Sequence, residues 1–295
     1  MKKIQTIAVL GAGTMGRGIA QVAAAAGYPT RLFDVQEGVL DEARRTIHRH
    51  LDKGVELGKV AAEAAAAAKQ LLSLGSRLEE AVRDADLVIE AVPESMETKV
   101  ETFQKVAAAA PGHALFASNT SGLSITEMAA ASGRPERFAG MHFFNPVHLM
   151  RLVELVRGLE TSEASLDILR GVADRMGKEV VVVNESPGFV TSRINALIGN
   201  EAFRILQEGV ASAEDIDKAL KLGLNHPMGP FEMVDLVGLD VRLSILRHLH
   251  RTLGELYRPN HLLVQHVQAG RLGRKTGRGI YEYDEAGKRK RGAAS

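Results

Sequence analysis

Cysteine is missing from all 295 residues, and that one absence excludes disulfides, thiolate metal sites and thiol nucleophiles together. It suits a reducing compartment, so a cytoplasmic location is expected and no metal site is. An excess of charge of either sign is missing too, because 37 Lys and Arg stand against 36 Asp and Glu. No global field is available to gather nucleic acid or an anionic membrane surface, and neither is expected as a partner. Also lacking is any run approaching the roughly 20 apolar residues that span a bilayer. Met1-Lys2-Lys3 and the apolar run behind it resemble a signal peptide, but Gly11, Gly13 and Arg17 interrupt the run. It reads instead as a first strand of a soluble protein. What remains is globular in composition, 45% hydrophobic and 25% charged. The length exceeds one ordinary core, which predicts two domains.

Periodicity organises the chain. Residues 4–10 read as a buried strand and 15–26 as an alanine-rich helix that stops at Gly27, where a left-handed cap is expected. A second strand follows at 30–33. Short apolar runs at 87–92, 114–117, 138–144 and 180–183 alternate with helical stretches. Strands alternating with helices predict an α/β fold with a parallel, doubly wound sheet. Residues 37–70 predict a pair of helices projecting from it, and their alanine run at 61–68 has high helix propensity and little bulk. Strand signals end at 183, and Asn184-Glu185-Ser186-Pro187-Gly188 makes a boundary. The domains are therefore placed at 1–185 and 186–295. The second is expected to be all-helical, with helices at 191–207, 214–221, 230–254 (broken near Gly238) and 260–269. Such domains often associate in pairs, which predicts a homodimer through the helical part. The basic Lys288-Arg289-Lys290-Arg291 reads as a solvated terminus.

Two groups of residues carry chemistry. Gly11-Ala12-Gly13-Thr14-Met15-Gly16 places G-x-G-x-x-G between a strand and a helix. Gly11 allows the tight turn, Gly13 lets backbone approach a pyrophosphate, and Gly16 lets helix and strand pack closely, while the helix N-terminus favours the phosphate charge. This is the pattern of a Rossmann-type dinucleotide domain, with Thr14 and Met15 inside the binding turn. Asp34 ends the second strand, where it accepts hydrogen bonds from both ribose hydroxyls and repels a 2′-phosphate, so NAD is expected over NADP. The other group is Met141-His142-Phe143-Phe144-Asn145-Pro146 followed by Leu152-Val153-Glu154. Alternation in extended chain puts His142 with Phe144 on one side and Leu152 with Glu154 on another. A histidine and a carboxylate meeting across this turn suit alcohol oxidation. The imidazole takes the hydroxyl proton as hydride leaves, and the carboxylate fixes the tautomer and steadies the imidazolium.

With these pieces placed, the chain resembles the 3-hydroxyacyl-CoA dehydrogenase family, and most nearly its short bacterial 3-hydroxybutyryl-CoA members. The likeness spans nearly the whole length. It rests on Gly11 to Gly16, Ser118-Asn119-Thr120-Ser121, Met141 to Pro146, Leu152-Val153-Glu154, Pro187-Gly188-Phe189-Val190, His226-Pro227-Met228-Gly229-Pro230 and Leu272-Gly273-Arg274-Lys275-Thr276-Gly277. The resemblance implies reversible oxidation of an L-3-hydroxyacyl-CoA to the 3-ketoacyl-CoA with NAD. It implies that His142 is the base, Glu154 its orienting partner, and Ser121 a hydrogen-bond partner of the reacting oxygen. Glu94, Lys99, Asn145 and Lys275 match family positions that contact the cofactor. Where the family usually has asparagine after Pro187-Gly188-Phe189-Val190, this chain has Ser192, a shorter side chain with a single donor; Asn195 lies nearby. Gly122 and His148 are smaller departures. The phosphates of coenzyme A call for basic residues, and Arg49, Lys53 and Lys59 on the helical pair are the candidates. Two other readings stay open: a dehydrogenase of a free hydroxy or sugar acid, and a non-catalytic NAD-binding structural protein.

Overall fold

The computed structural model describes residues 3–294, with side chains described as far as Lys290. Met1 and Lys2, and the side chain of Arg291, lie outside the described residues. The chain divides into two compact units, Met1–Ser186 and Pro187–Ser295.

The first unit opens with β1 (Ile7–Leu10), α1 (Thr14–Ala25), β2 (Thr30–Phe33), α2 (Glu37–Glu56), α3 (Ala62–Leu71) and β3 (Leu72–Gly75). It continues through α4 (Leu78–Val82), β4 (Leu87–Glu90), α5 (Met96–Ala109), β5 (Leu115–Ser118), α6 (Ile125–Ala131), β6 (Phe138–Phe143), β7 (Leu152–Arg157), α7 (Glu163–Arg175) and β8 (Glu179–Asn184). The strands form one eight-stranded sheet in the order β3-β2-β1-β4-β5-β6-β7-β8. Strands β1, β4 and β5 are buried at every position, as expected for central strands covered on both faces. α1 ends where Gly27 takes φ +81°, the left-handed cap that a residue with a Cβ resists.

Three features differ from the sequence expectation. The sheet is not wholly parallel: β6 and β7 pair antiparallel, because residues 144–151 form a short return rather than the crossover helix that parallel neighbours need. β3 was not expected; it follows α3 directly and adds an edge strand beside β2. The helical pair does not stand clear of the sheet, since Leu40, Ala43, Ile47 and Leu51 of α2 and Ala65 and Ala68 of α3 join the core that holds Ile19 and Ala23 of α1. Alanines at those positions let α3 come close to α1.

The second unit comprises α8 (Thr191–Gln207), α9 (Ala213–Gly223), α10 (Pro230–Val237), α11 (Leu239–Leu253) and α12 (His261–Gln268). Gly238, with φ +107°, breaks α10 from α11. The unit does not end in a free tail: β9 (Tyr281–Tyr283) and β10 (Arg289–Ala294) pair antiparallel. Arg289 lies 3.5 Å above the Tyr281 ring and pairs with Glu214 of α9, so it is part of the packing. The ring contact was invisible in a run of basic letters. Among the described residues no helix is long and apolar enough to cross a membrane.

Candidate active site

Strands β2, β1, β4, β5 and β6 run parallel, so their C-terminal ends share one edge of the sheet. Asp34 follows β2, Gly11 follows β1, Glu90 closes β4, Ser118 closes β5, and His142 lies next to the end of β6. Open α/β sheets bind ligands at such an edge, near the point where strand order reverses. That point is the β1/β4 junction here.

The glycine turn is shaped for a phosphate. A Cβ on Gly11 would come within 2.6 Å of the Ala91 carbonyl oxygen, and one on Gly16 within 1.7 Å of the Gly11 carbonyl. Only glycine permits these approaches. A Cβ on Gly13 would meet nothing within 4 Å, and Gly13 caps α1 without any side-chain hydrogen bond. The helix N-terminus is thus open where an anion would sit, with Thr14 exposed and Met15 half-buried on its first turn. Asp34 accepts hydrogen bonds from the Ala12 and Gln36 amides, at 2.8 and 3.0 Å. These bonds fix its carboxylate beside the turn and leave acceptor capacity for ribose hydroxyls. The residues present fit a dinucleotide.

His142 and Glu154 are directly opposed in the antiparallel ladder, so their side chains emerge on the same face. His142 Nδ1 lies 2.8 Å from Glu154 Oε2. Glu154 is 1% exposed and His142 is 7% exposed. A carboxylate that deep costs several kcal/mol unless paired, and the imidazole N–H supplies the partner. The Phe144 ring leans on the imidazole at 4.5 Å between centroids, and the Phe143 amide donates to Asn119 Oδ1 at 2.9 Å, tying the end of β6 to the strand beside it. Asn145, after this segment, is exposed.

Beside the dyad's strand lies a second charged group. Glu94 Oε1 accepts from Thr120 Oγ1 at 2.6 Å, from the Ser121 amide at 2.9 Å and from Ser121 Oγ at 3.1 Å. Lys99 Nζ is 3.2 Å from Glu94 Oε2 and 2.6 Å from Oε1 of Glu90. Glu90 also accepts from Ser118 Oγ and the Val92 amide. Burial pushes the Glu90 carboxyl above its usual range, against the pull of Lys99. For Glu94, burial also pushes upward, but Lys99 and the hydrogen bonds from Thr120 and Ser121 outweigh it and hold the carboxyl below its usual range. Sequence reading missed Glu90 and took Lys99 for a solvated side chain apart from its family match. A single charge inside an apolar strand, Leu87-Val88-Ile89-Glu90, was the available signal.

The remaining candidates are dispersed. Arg49, Lys53 and Lys59 belong to the α2–α3 region, where Lys53 and Lys59 border a cleft of about 530 Å³ with His50, His148 and Arg175. Lys53 pairs with Glu56 at 2.8 Å, and Arg49 faces a shallower neighbouring hollow. In the second unit, Ser192 sits half-buried in the first turn of α8, and Lys275 pairs with Asp240 at 2.6 Å. Among the described residues no group of three or more His, Asp or Glu could hold a metal ion.

A family model described as 3-hydroxyacyl-CoA dehydrogenase, NAD binding domain, matches residues 6–186, and one for the C-terminal domain of the same family matches residues 188–283. The chain belongs to the 3-hydroxyacyl-CoA dehydrogenase family. It is an NAD-dependent oxidoreductase of that family. A probable 3-hydroxybutyryl-CoA dehydrogenase of Bacillus subtilis is 47% identical over 285 residues, covering 96% of this chain and 99% of the relative. The 3-hydroxybutyryl-CoA dehydrogenase of Bradyrhizobium diazoefficiens is 45% identical over 281 residues, covering 95% and 96%. Among solved structures, (S)-3-hydroxybutyryl-CoA dehydrogenase from Ralstonia eutropha superposes with a TM-score of 0.92 at 40% identity, covering 96% of this chain and 100% of that one. The strand order and the helical second unit fit this family.

Proposed function

We propose that this family member interconverts a short-chain L-3-hydroxyacyl-CoA and the corresponding 3-ketoacyl-CoA. NAD, when bound, supplies the hydride acceptor, and its reduced form the donor. The observation that supports this reading is the buried His142–Glu154 pair, 2.8 Å apart across the β6–β7 ladder. With the Nδ1 proton held by Glu154, Nε2 is the basic nitrogen and takes the hydroxyl proton as the carbinol carbon is oxidised. In the reverse direction it returns that proton to the ketone oxygen. Glu154 stays ionised and steadies the imidazolium.

Ser121, aimed by Glu94, is assigned to the reacting oxygen, with Ser192 as a second, shorter contact. Gly11, Gly13, Thr14, Met15, Gly16 and Asp34 are assigned to the dinucleotide, with Asn145 and Lys275 as further contacts. Glu94 borders the same site. Asp34 favours NAD over NADP because a 2′-phosphate would face a carboxylate. Arg49, Lys53 and Lys59 are assigned to the phosphates of coenzyme A. Pairing of chains through the second unit belongs to the same reading. It draws on Leu236, Val237 and Val241 of α10 and α11, which are 47%, 40% and 40% exposed.

The test is oxidation of NADH in the presence of acetoacetyl-CoA, compared with NADPH and repeated with His142→Ala. The expected result is oxidation of NADH well ahead of NADPH, lost by roughly 10³-fold or more in the variant. Turnover of a free hydroxy acid with none of acetoacetyl-CoA would replace the substrate class. NADH binding with no turnover of either would leave a non-catalytic protein.

A further inference from the structure

The cleft walled by α1, α2, α3, the 144–151 return and the end of α7 carries one sign of charge. Among the described residues that line it, His50, Lys53, Lys59, His148 and Arg175 are basic and none is acidic. In a chain whose charges nearly cancel, a hollow of about 530 Å³ lined this way suits an anion. Two of the five are already engaged, Lys53 with Glu56 and Arg175 with the carbonyl oxygens of Ala26 and Gly27. The two histidines face each other instead. The His50 ring, on α2, lies 4.6 Å from the His148 ring, on the return, with 32° between their planes. His50 Nδ1 is 3.2 Å from Gln21 Oε1 of α1. His50 is half-buried and His148 exposed, so a ligand in the cleft can reach both.

We propose that His50 and His148 are specificity-determining residues for the phosphates of the substrate's coenzyme A: the pair takes up a proton as a phosphate enters the cleft, so CoA is held more tightly as pH falls. The inference rests on the proposed function, which assigns Lys53 and Lys59 of the same cleft to CoA, and it adds the proton that binding draws in.

Among the described residues, every charged group that faces the pair is a cation. His50 meets Arg49 of its own helix and Arg17 of α1, and His148 meets His50 and Lys178, which precedes β8. The connection to α3 brings Lys59, α3 itself only Ala64, and α7 Arg175. Nearby carboxylates are committed elsewhere, Glu42 to Arg17, Asp52 to Lys69 and Glu56 to Lys53. Burial, and after it these cations, hold both imidazoles below their usual range, so the empty pair is neutral near pH 7. A phosphate monoester brings roughly −1.5 to −2 charges. It reverses the local field and favours the imidazolium. The midpoint is then higher with ligand than without, so affinity is greatest below the bound midpoint and is lost as pH rises through it. Each pH unit by which phosphate raises a midpoint is worth up to about tenfold in affinity.

The experiment measures binding of free coenzyme A and of 3′-dephospho-CoA by titration calorimetry from about pH 8 to about pH 6.5, in buffers of differing protonation enthalpy. It compares the wild type with His50→Gln/His148→Gln, which keeps polar, uncharged side chains at both places. Wild-type affinity for CoA is expected to rise about 3- to 10-fold over that range, with roughly half to one proton taken up per CoA. In the double variant both the rise and the uptake are expected to vanish. Uptake that disappears with 3′-dephospho-CoA supports the inference with the 3′-phosphate as the partner, and uptake that persists supports it with the pyrophosphate. Wild-type binding of CoA without proton uptake, or equal uptake in the double variant, would overturn it. No binding of CoA to the wild type would overturn the proposed substrate class along with it. No arm uses turnover, so a failure of the His142–Glu154 chemistry is distinguishable from a failure of this inference.

Discussion

Buried carboxylates at the C-terminal edge of the sheet and in the helical unit are held by different partners. In the sheet unit, Glu154 faces an imidazole and Glu90 faces an ammonium, nitrogen groups that can bear a proton and a charge of their own. In the helical unit, Asp217 accepts from the Phe231 and Glu232 amides and from the Tyr281 hydroxyl. Asp235 accepts from the Ile280 and Tyr281 amides and the Tyr283 hydroxyl. Amides do not titrate, and burial and the adjacent aspartates push both tyrosine hydroxyls upward, so they do not titrate either near neutral pH. These aspartates staple the C-terminal hairpin to α9 and α10. Depth of burial is the same, at 1% for Glu154, Asp217 and Asp235 alike. Under the proposed function, the chemistry of the partner, rather than depth, separates Glu154 from these two fastenings.

Substitution can break this contrast. Glu154→Gln keeps an oxygen for the imidazole N–H but removes the charge, so turnover is expected to fall by roughly 10² to 10⁴, with NADH affinity and the melting temperature nearly unchanged. Steady-state kinetics and a thermal melt read both arms. Equal turnover would mean that Glu154 is itself a fastening. Asp235→Ala is expected to do the reverse. It strands two buried amides and a tyrosine hydroxyl, at about 1 to 3 kcal/mol for each buried group left unsatisfied and about 3 to 4 kcal/mol in all after relaxation. Hydrogen exchange should localise the loss to β9 and α10. Exchange unchanged there would show that water replaces the carboxylate without cost.

The same contrast explains what could be read from the letters alone. The turn from Gly11 to Gly16 and the break at Gly238 were legible because backbone geometry admits few other residues there. The register of His142 against Glu154 was half legible: alternation ordered each strand, but only the antiparallel return set the two side chains on one face. β3 was hidden because Leu72-Ser73-Leu74-Gly75 is short, with Ser73 exposed, and an edge strand needs no long apolar run. Glu90 and Lys99 were hidden for a deeper reason. Charged letters suggest solvent unless their partner is known, and a pair nine positions apart, from a strand end to a helix, obeys no periodicity. Arg289 was hidden likewise, since a ring contact is a property of the folded hairpin.

The smallest effect concerns a buried charge with neither kind of partner among the described residues. Arg242 of α11 is 2% exposed, its stem packs near Gly199 and Val234, and among the described residues its Nε has no hydrogen-bond partner. Burial alone pulls its guanidinium down to about 10, and no carboxylate contributes. If titratable partners mark sites and neutral donors mark fastenings, Arg242 is neither, and its charge should be a net cost to the fold. Arg242→Met keeps an unbranched, flexible stem of similar reach and removes the desolvated charge. Unfolding free energy is expected to rise by about 1 kcal/mol, which for a chain of this size raises the melting temperature by about 2 to 4 °C. A comparable fall would show that the guanidinium is held by backbone carbonyls and belongs with the aspartates among the fastenings of the helical unit.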